Sequence, residues 1–148
     1  MSQENIQAAR RLYDAFNSGD LAAFQKGCAP TFVWNEAENS ANSAGNPYRS
    51  FDDVLEGVFQ PTMNDFEGFR VDLEKVFDAG DTIVGTGRYH GKHRKTGKQL
   101  SAQFCHLIHF DPQARLDGLQ EYVDTLEEAV VAARVQIVEE MRIPQPVM

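Results

Sequence analysis

Residues 96–125 read TGKQLSAQFCHLIHFDPQARLDGLQEYVDT, and two β-strands joined by a turn account for most of them. From Leu100 to Phe110, Ala102, Phe104, His106 and Ile108 share one face, while His109 points to the other. That period of two marks a strand with one side buried. Asp111-Pro112-Gln113-Ala114 has the composition of a turn. Leu116 to Val123 then alternates again, with Leu119, Glu121 and Val123 on one face and Gln120 and Tyr122 on the other. Asp124 stands where it can cap a helix that begins near Thr125.

Outward from this pair, Leu126 to Met141 reads as an amphipathic carboxy-terminal helix, with Pro144 and Pro146 marking a frayed tail. Toward the amino terminus, Thr82 to His90 and Phe69 to Phe77 read as two more strands, separated by the turn Ala79-Gly80-Asp81. Lys95-Thr96-Gly97-Lys98 is a further turn. Phe51 to Phe59 places Val54, Leu55 and Val58 on a helical face, and Pro61 is expected to end that helix. Asn39 to Pro47 is small, polar and Gly/Pro-bearing, a loop with the makings of a lid. Thr31 to Glu36 is β-branched and aromatic, a strand with Phe32, Trp34 and Glu36 on one face. The chain opens with two helices, Asn5 to Asn17 and Leu21 to Cys28, divided by Ser18-Gly19-Asp20 and ended by Pro30.

Helices first and antiparallel strands afterwards predict an α+β fold. In it a cone-shaped, curved antiparallel or mixed sheet wraps around the amino-terminal helices, with an extra carboxy-terminal helix over about residues 126–141. A chain of 148 residues makes one domain, its core over about residues 6–125. A cone that is incompletely filled leaves a pocket. The outer sheet face, bearing Cys105, Leu107 and Tyr122, needs a cover, which predicts a homodimer.

Composition narrows the function. The net charge is −8, and positive charge gathers only at Lys92 to Lys98, which reads as a solvated hairpin tip, so nucleic acid is not an expected partner. No apolar run approaches the roughly 20 residues of a membrane span, and the polar start MSQENIQAARR places the protein in the cytoplasm. Cys28 and Cys105 sit in apolar surroundings and read as buried thiols. No metal-ligand spacing, phosphate loop or nucleophile elbow is present, so neither a metal nor an organic cofactor is expected.

Four strings in this order carry a resemblance: ARRLYDAFNSGDLAAF around Gly19-Asp20, NPYRSFDDVLEGVF, TGKQLSAQFCHLIHF, and RLDGLQEYVDT with its closing Tyr-x-Asp. Together they resemble SnoaL-like polyketide cyclases and ketosteroid isomerases of the nuclear-transport-factor-2-like superfamily. The resemblance implies the cone fold and a small-molecule pocket; it does not choose among the family's chemistries. Read without gaps from Gly19-Asp20, Glu36 falls where isomerases carry their aspartate base. His106 matches the isomerases' protonated aspartate and the cyclases' pocket histidine. Glu121 matches the acidic residue that cyclases use as acid and base. The isomerases' catalytic tyrosine position is Leu12 here, with Tyr13 one residue away. The Arg-x-Asp of the epoxide hydrolases is absent from Leu100 to Phe110.

His106, Glu36 and Glu121 are therefore the candidate catalytic residues, in a pocket lined by Tyr13, Phe16, Phe32, Trp34, Phe59, Phe104, Ile108 and Val123. A carboxylate against aromatic rings is desolvated and becomes a stronger base, and a carboxylate beside the histidine would raise the pKa of the imidazole. Each residue also has a structural reading: Glu36 exposed at the pocket mouth, His106 bonded within the core, Glu121 in a cross-strand ion pair. The leading functional reading is a cofactor-free isomerase or cyclase that moves protons on a small hydrophobic carbonyl compound. A non-catalytic binder of an apolar ligand and a dimeric interaction module are the alternatives. A cavity of roughly 300 Å3 or more separates the first two from the third.

Overall fold

The computed structural model describes residues 2–135. Helix α1 (Ser2–Ser18) ends where Gly19 takes φ 75°, and the Asp20 carboxylate accepts from the Ala23 N–H to start α2 (Leu21–Lys26). Strand β1 (Cys28–Asn35) follows, then a loop with a 3-10 turn at Ser43–Gly45, α3 (Phe51–Val54), a π turn (Leu55–Phe59) and α4 (Gln60–Asp65). Strands β2 (Phe66–Ala79), β3 (Thr82–His93), β4 (Gln99–Phe110) and β5 (Leu116–Val123) lead into α5 (Thr125–Val131), whose first turn the Asp124 side chain caps.

The sheet order is β1-β5-β4-β3-β2, parallel between β1 and β5 and antiparallel elsewhere. The α+β architecture is the one expected, a curved mixed sheet holding the helices against its inner face. Register breaks in β1, β2 and at His109/Phe110 interrupt the ladders, and extra residues of this kind bend a sheet and increase its twist. Helix α1 is tied across the sheet at two points. Asn17 exchanges two 2.8 Å hydrogen bonds with the Val71 backbone, and Asn5 donates to the Gly80 carbonyl at 3.3 Å.

Several boundaries differ from the sequence reading. Helix α2 stops at Lys26, and β1 already contains Pro30. Glu36 lies just beyond β1. Pro61 does not end the third helix. The π turn carries the chain into α4 with Pro61 in its first turn, where a missing N–H leaves no bond unmade. The carboxy-terminal helix is observed only as Thr125–Val131: it ends where Ala133 takes φ 58°, residues 132–135 are turn and bend, and the remainder of the expected Leu126 to Met141 span lies outside the described residues. Cys28 is buried, but Cys105 is only half-buried on the outer sheet face. Among the described residues, no helix is long and apolar enough to cross a membrane.

Candidate active site

The alternation read in the sequence sets the inner wall. Along β4, Leu100, Ala102, Phe104, His106, Ile108 and Phe110 are buried in turn. From the other side come α1, α2 and the π turn, whose rings interlock: Phe16 meets Phe59 at 5.0 Å, and Phe24 meets Phe59 at 5.1 Å. They leave a cavity of about 130 Å3, bounded by Phe16, Phe24, Trp34, Phe59, Phe66 and Phe69. The cone is thus neither filled nor as open as the roughly 300 Å3 of an ordinary ligand pocket.

His106 is buried at 7% exposure, stacked on Phe104 with ring centroids 4.2 Å apart. Both of its ring nitrogens are occupied. Tyr13 Oη lies 2.8 Å from Nδ1, and Tyr89 Oη lies 2.6 Å from Nε2. Tyr89 in turn donates to Glu121 Oε2 at 2.5 Å, and Glu121 Oε1 accepts from the Ala37 N–H at 3.1 Å. Four side chains from α1, β4, β3 and β5 thus form one continuous chain of hydrogen bonds. Burial pushes His106 down to about 3. The expected rise in its pKa is therefore corrected: its partners are hydroxyls, and the imidazole is neutral.

Glu36 and Glu121 are both buried, at 6% and 5% exposure, which removes the mouth-exposed reading of Glu36. Trp34 Nε1–H donates to Glu36 Oε2 at 2.8 Å. Asn46 holds the Glu36 backbone from both sides: Oδ1 accepts from its N–H and Nδ2 donates to its C=O, each at 2.8 Å. Burial first, and then the Glu121 charge, hold the Glu36 carboxyl well above the usual range. Burial raises Glu121 as well, but the hydrogen bonds from Tyr89 and Ala37 favour its ionised form. No cation pairs with Glu121, so the ion-pair reading also falls among the described residues.

A third carboxylate, Glu128, reaches the same cavity from α5. Burial, followed by the Glu121 charge, pushes it up to about 8. The sequence reading missed Glu128 and Tyr89. Tyr89 was readable, because the alternation of β3 puts it on the inner face with Ile83. Of the expected lining residues, Tyr13, Phe16, Trp34, Phe59 and Ile108 bound the cavity. Phe32, Phe104 and Val123 do not. Phe104 lies behind the Tyr89 and His106 rings, Phe32 packs on Trp34, and Val123 is half-buried toward the end of β5. His109 faces outward, paired with Asp81 and Asp117.

Comparison with solved structures returns the same fold repeatedly. An NTF2-like protein from Burkholderia thailandensis E264 is 29% identical, with a TM-score of 0.78 over 88% of this chain and 95% of that one. IdmH, a candidate polyketide cyclase from Streptomyces antibioticus, is 21% identical with a TM-score of 0.74, over 88% of this chain and 99% of that one. TerC, co-crystallised with polyporic acid, is 18% identical with a TM-score of 0.78, over 88% and 98% of the two chains. No curated protein matches. The pattern of the SnoaL-like domain matches residues 9–118, three-quarters of the sequence, and the chain belongs to the SnoaL-like family.

Proposed function

We propose that this protein catalyses proton transfer on a small hydrophobic carbonyl compound, as a cofactor-free isomerase or cyclase. The observation that carries the reading is two carboxyl groups buried in one aromatic cavity with unequal hydrogen bonding. Glu36, with a single indole donor, holds its proton. Glu121, with two donors, is the better carboxylate. Environments that push two acids apart in this way assign one to give a proton and the other to receive it. On an enol, Glu36 gives its proton to carbon while the Glu121–Tyr89–His106–Tyr13 chain takes the hydroxyl proton. The reverse step, from ionised Glu36 and protonated Glu121, takes the α-proton of a ketone and protonates its oxygen. His106 acts through the two tyrosines, since neither of its nitrogens is free.

The small cavity favours a compact ligand, or one that pushes the Asn39 to Pro47 loop aside. TerC, which shares this fold, was co-crystallised with polyporic acid. The test is deuterium exchange at the α-carbons of a panel of small cyclic ketones, followed by NMR. Exchange that depends on the protein and falls about 100-fold or more in Glu36→Gln supports the reading. Tight binding of the same ketones without exchange makes the protein a binder instead.

The outer sheet face is the second element of the proposal. Phe77, Val84, Leu107 and Gln120 form one cross-strand row, and Cys105 and Tyr122 are paired in the neighbouring row. Phe77 and Tyr122 are more than half exposed. A second copy of the chain is the occupant proposed for this face.

A further inference from the structure

We propose that Tyr13, His106, Tyr89 and Glu121 form a proton relay in which the Tyr13 hydroxyl exchanges a proton with the ligand on behalf of Glu121, and His106 switches tautomer as the proton passes. The ligand's identity as a carbonyl compound rests on the reading above; the relay itself does not.

The direction of the resting hydrogen bonds follows from counting protons. An ionised Glu121 can only accept, so Tyr89 donates its one proton to Oε2. Tyr89 Oη must then accept from His106, which places the ring proton on Nε2. A neutral imidazole has one N–H, so Nδ1 is an acceptor and takes the Tyr13 proton. Every proton in the chain points toward Glu121.

A proton released by a ligand hydroxyl at the cavity end can therefore travel without any group rotating. It bonds to Tyr13 Oη as the Tyr13 proton moves to Nδ1. The Nε2 proton moves to Tyr89 Oη, and the Tyr89 proton moves to Glu121 Oε2. Four protons each move across one hydrogen bond, and the ligand oxygen keeps the electron pair it had shared with its proton. Glu121 ends protonated, and His106 ends as the Nδ1–H tautomer. No imidazolium forms at any point, which suits a ring buried deeply enough to resist protonation. The reverse sequence returns the proton to a carbonyl oxygen.

The seat of Tyr13 is built for this contact. Its hydroxyl occupies the space above Gly85, the residue directly opposite His106 in the β3–β4 ladder, where a Cβ would collide with it. Tyr13 also lines the cavity, as Glu121 does, so both ends of the relay open on the same space.

The test reads the His106 tautomer in the ligand-free protein by long-range 1H–15N correlation NMR. Glu121 is met by Glu36 from the end of β1, by Tyr89 from β3, by His106 beside it in β4, and by Glu128 from α5. Titrations are therefore repeated in Glu36→Gln and Glu128→Gln. The expected result is the Nε2–H tautomer when Glu121 is ionised and the Nδ1–H tautomer when it is protonated. Glu121→Gln should show Nδ1–H at every pH, because its amide oxygen keeps the Ala37 N–H and its NH2 donates to Tyr89. Tyr89→Phe should uncouple the tautomer from Glu121. An unchanged Nε2–H tautomer in Glu121→Gln, or an imidazolium at pH 6 in the wild-type protein, overturns the relay. Correct tautomer switching without ketone exchange upholds the relay and sinks only the carbonyl reading.

Discussion

Gly85 and His106 face each other across the β3–β4 ladder, and the hydroxyl of Tyr13 fills the place a side chain at Gly85 would take. Gly85→Ala should therefore push Tyr13 away from Nδ1. Overpacking of this kind costs about 1–3 kcal/mol. The expected outcome is a stable but weakened protein, measured by urea unfolding, that also loses the His106 tautomer preference. A Gly85→Ala protein with wild-type stability and tautomer would show that Tyr13 has room to spare.

Tyr13→Phe removes the end of the relay and keeps the ring. Its stacking on Phe104 and His106 is retained. Ketone exchange should fall about 100-fold, the usual scale for losing one general acid–base contact. The fold should survive with a loss of roughly 1–3 kcal/mol, since Nδ1 of His106 is left without its donor. Activity within a few-fold of wild type would remove Tyr13 from the mechanism.

In His106→Ala, neither activity nor melting temperature alone separates a functional histidine from a structural one. The structure merges the two. Deleting the ring strands the Tyr13 hydroxyl, leaves Tyr89 only its bond to Glu121, and opens a cavity beside Phe104. Stability should drop by several kcal/mol, about 1–3 from the stranded Tyr13 hydroxyl and the rest from the cavity. Denaturation showing less than about 1 kcal/mol of loss would mean that water replaces the ring at no cost.

How much of this was readable follows from what periodicity encodes. The parity of β4 and β5 placed His106 and Glu121 inward correctly, because a strand with one buried face must alternate. The parity of β1 likewise buried Trp34 beside Glu36. Partners were not readable. The Tyr13–His106 bond joins residues 93 apart, and no local pattern ranks Tyr13 above any other inward tyrosine. Phe104 dropped out of the lining for a related reason: parity says which side of the sheet a residue is on, not whether another ring stands in front of it, as Tyr89 and His106 stand in front of Phe104. Glu128 was invisible because an acidic residue in the first turn of a helix reads as a favourable dipole contact. The π turn before Pro61 has no sequence signature at all.

Stability should fall as pH rises from 6.5 to 8. Glu128 is pushed up to about 8 in the fold, and Glu36 is raised in the same direction. The folded state therefore holds more protons than the unfolded chain across this window, and its stability declines as they leave. His106 acts in the opposite sense, but only below its unfolded value of 6.5, where it loses stability toward about 3. His109, raised by its bonds to Asp117 and Asp81, shares the carboxyls' direction but is largely exposed, so salt screens its part. Urea unfolding in high salt should show the decline, and Glu128→Gln should flatten it. One proton sets a ceiling of about 1.4 kcal/mol per pH unit. A flat profile over this window would mean the carboxyls are already ionised in the fold.

The last prediction concerns assembly. The outer face carries Phe77, Leu107, Tyr122 and Val33, with Phe77 at 52%, Tyr122 at 55% and Val33 at 45% exposure. On one side of the sheet the helices cover apolar groups; on this side none does among the described residues, and an uncovered apolar face favours self-association. A two-fold dimer satisfies it, because the same patch meets itself and about 800 Å2 per partner is enough for a stable interface. Light scattering at micromolar concentration should give twice the mass of one chain. Tyr122→Arg, aimed outward between Cys105 and the sheet edge, should shift the protein toward monomer by placing two like charges across the axis. The cavity residues lie on the opposite side of the sheet, so the tautomer of His106 should be the same in monomer and dimer. A wild-type monomer at these concentrations would remove the dimer, and a dimer indifferent to both Tyr122→Arg and Phe77→Arg would move the interface to another face.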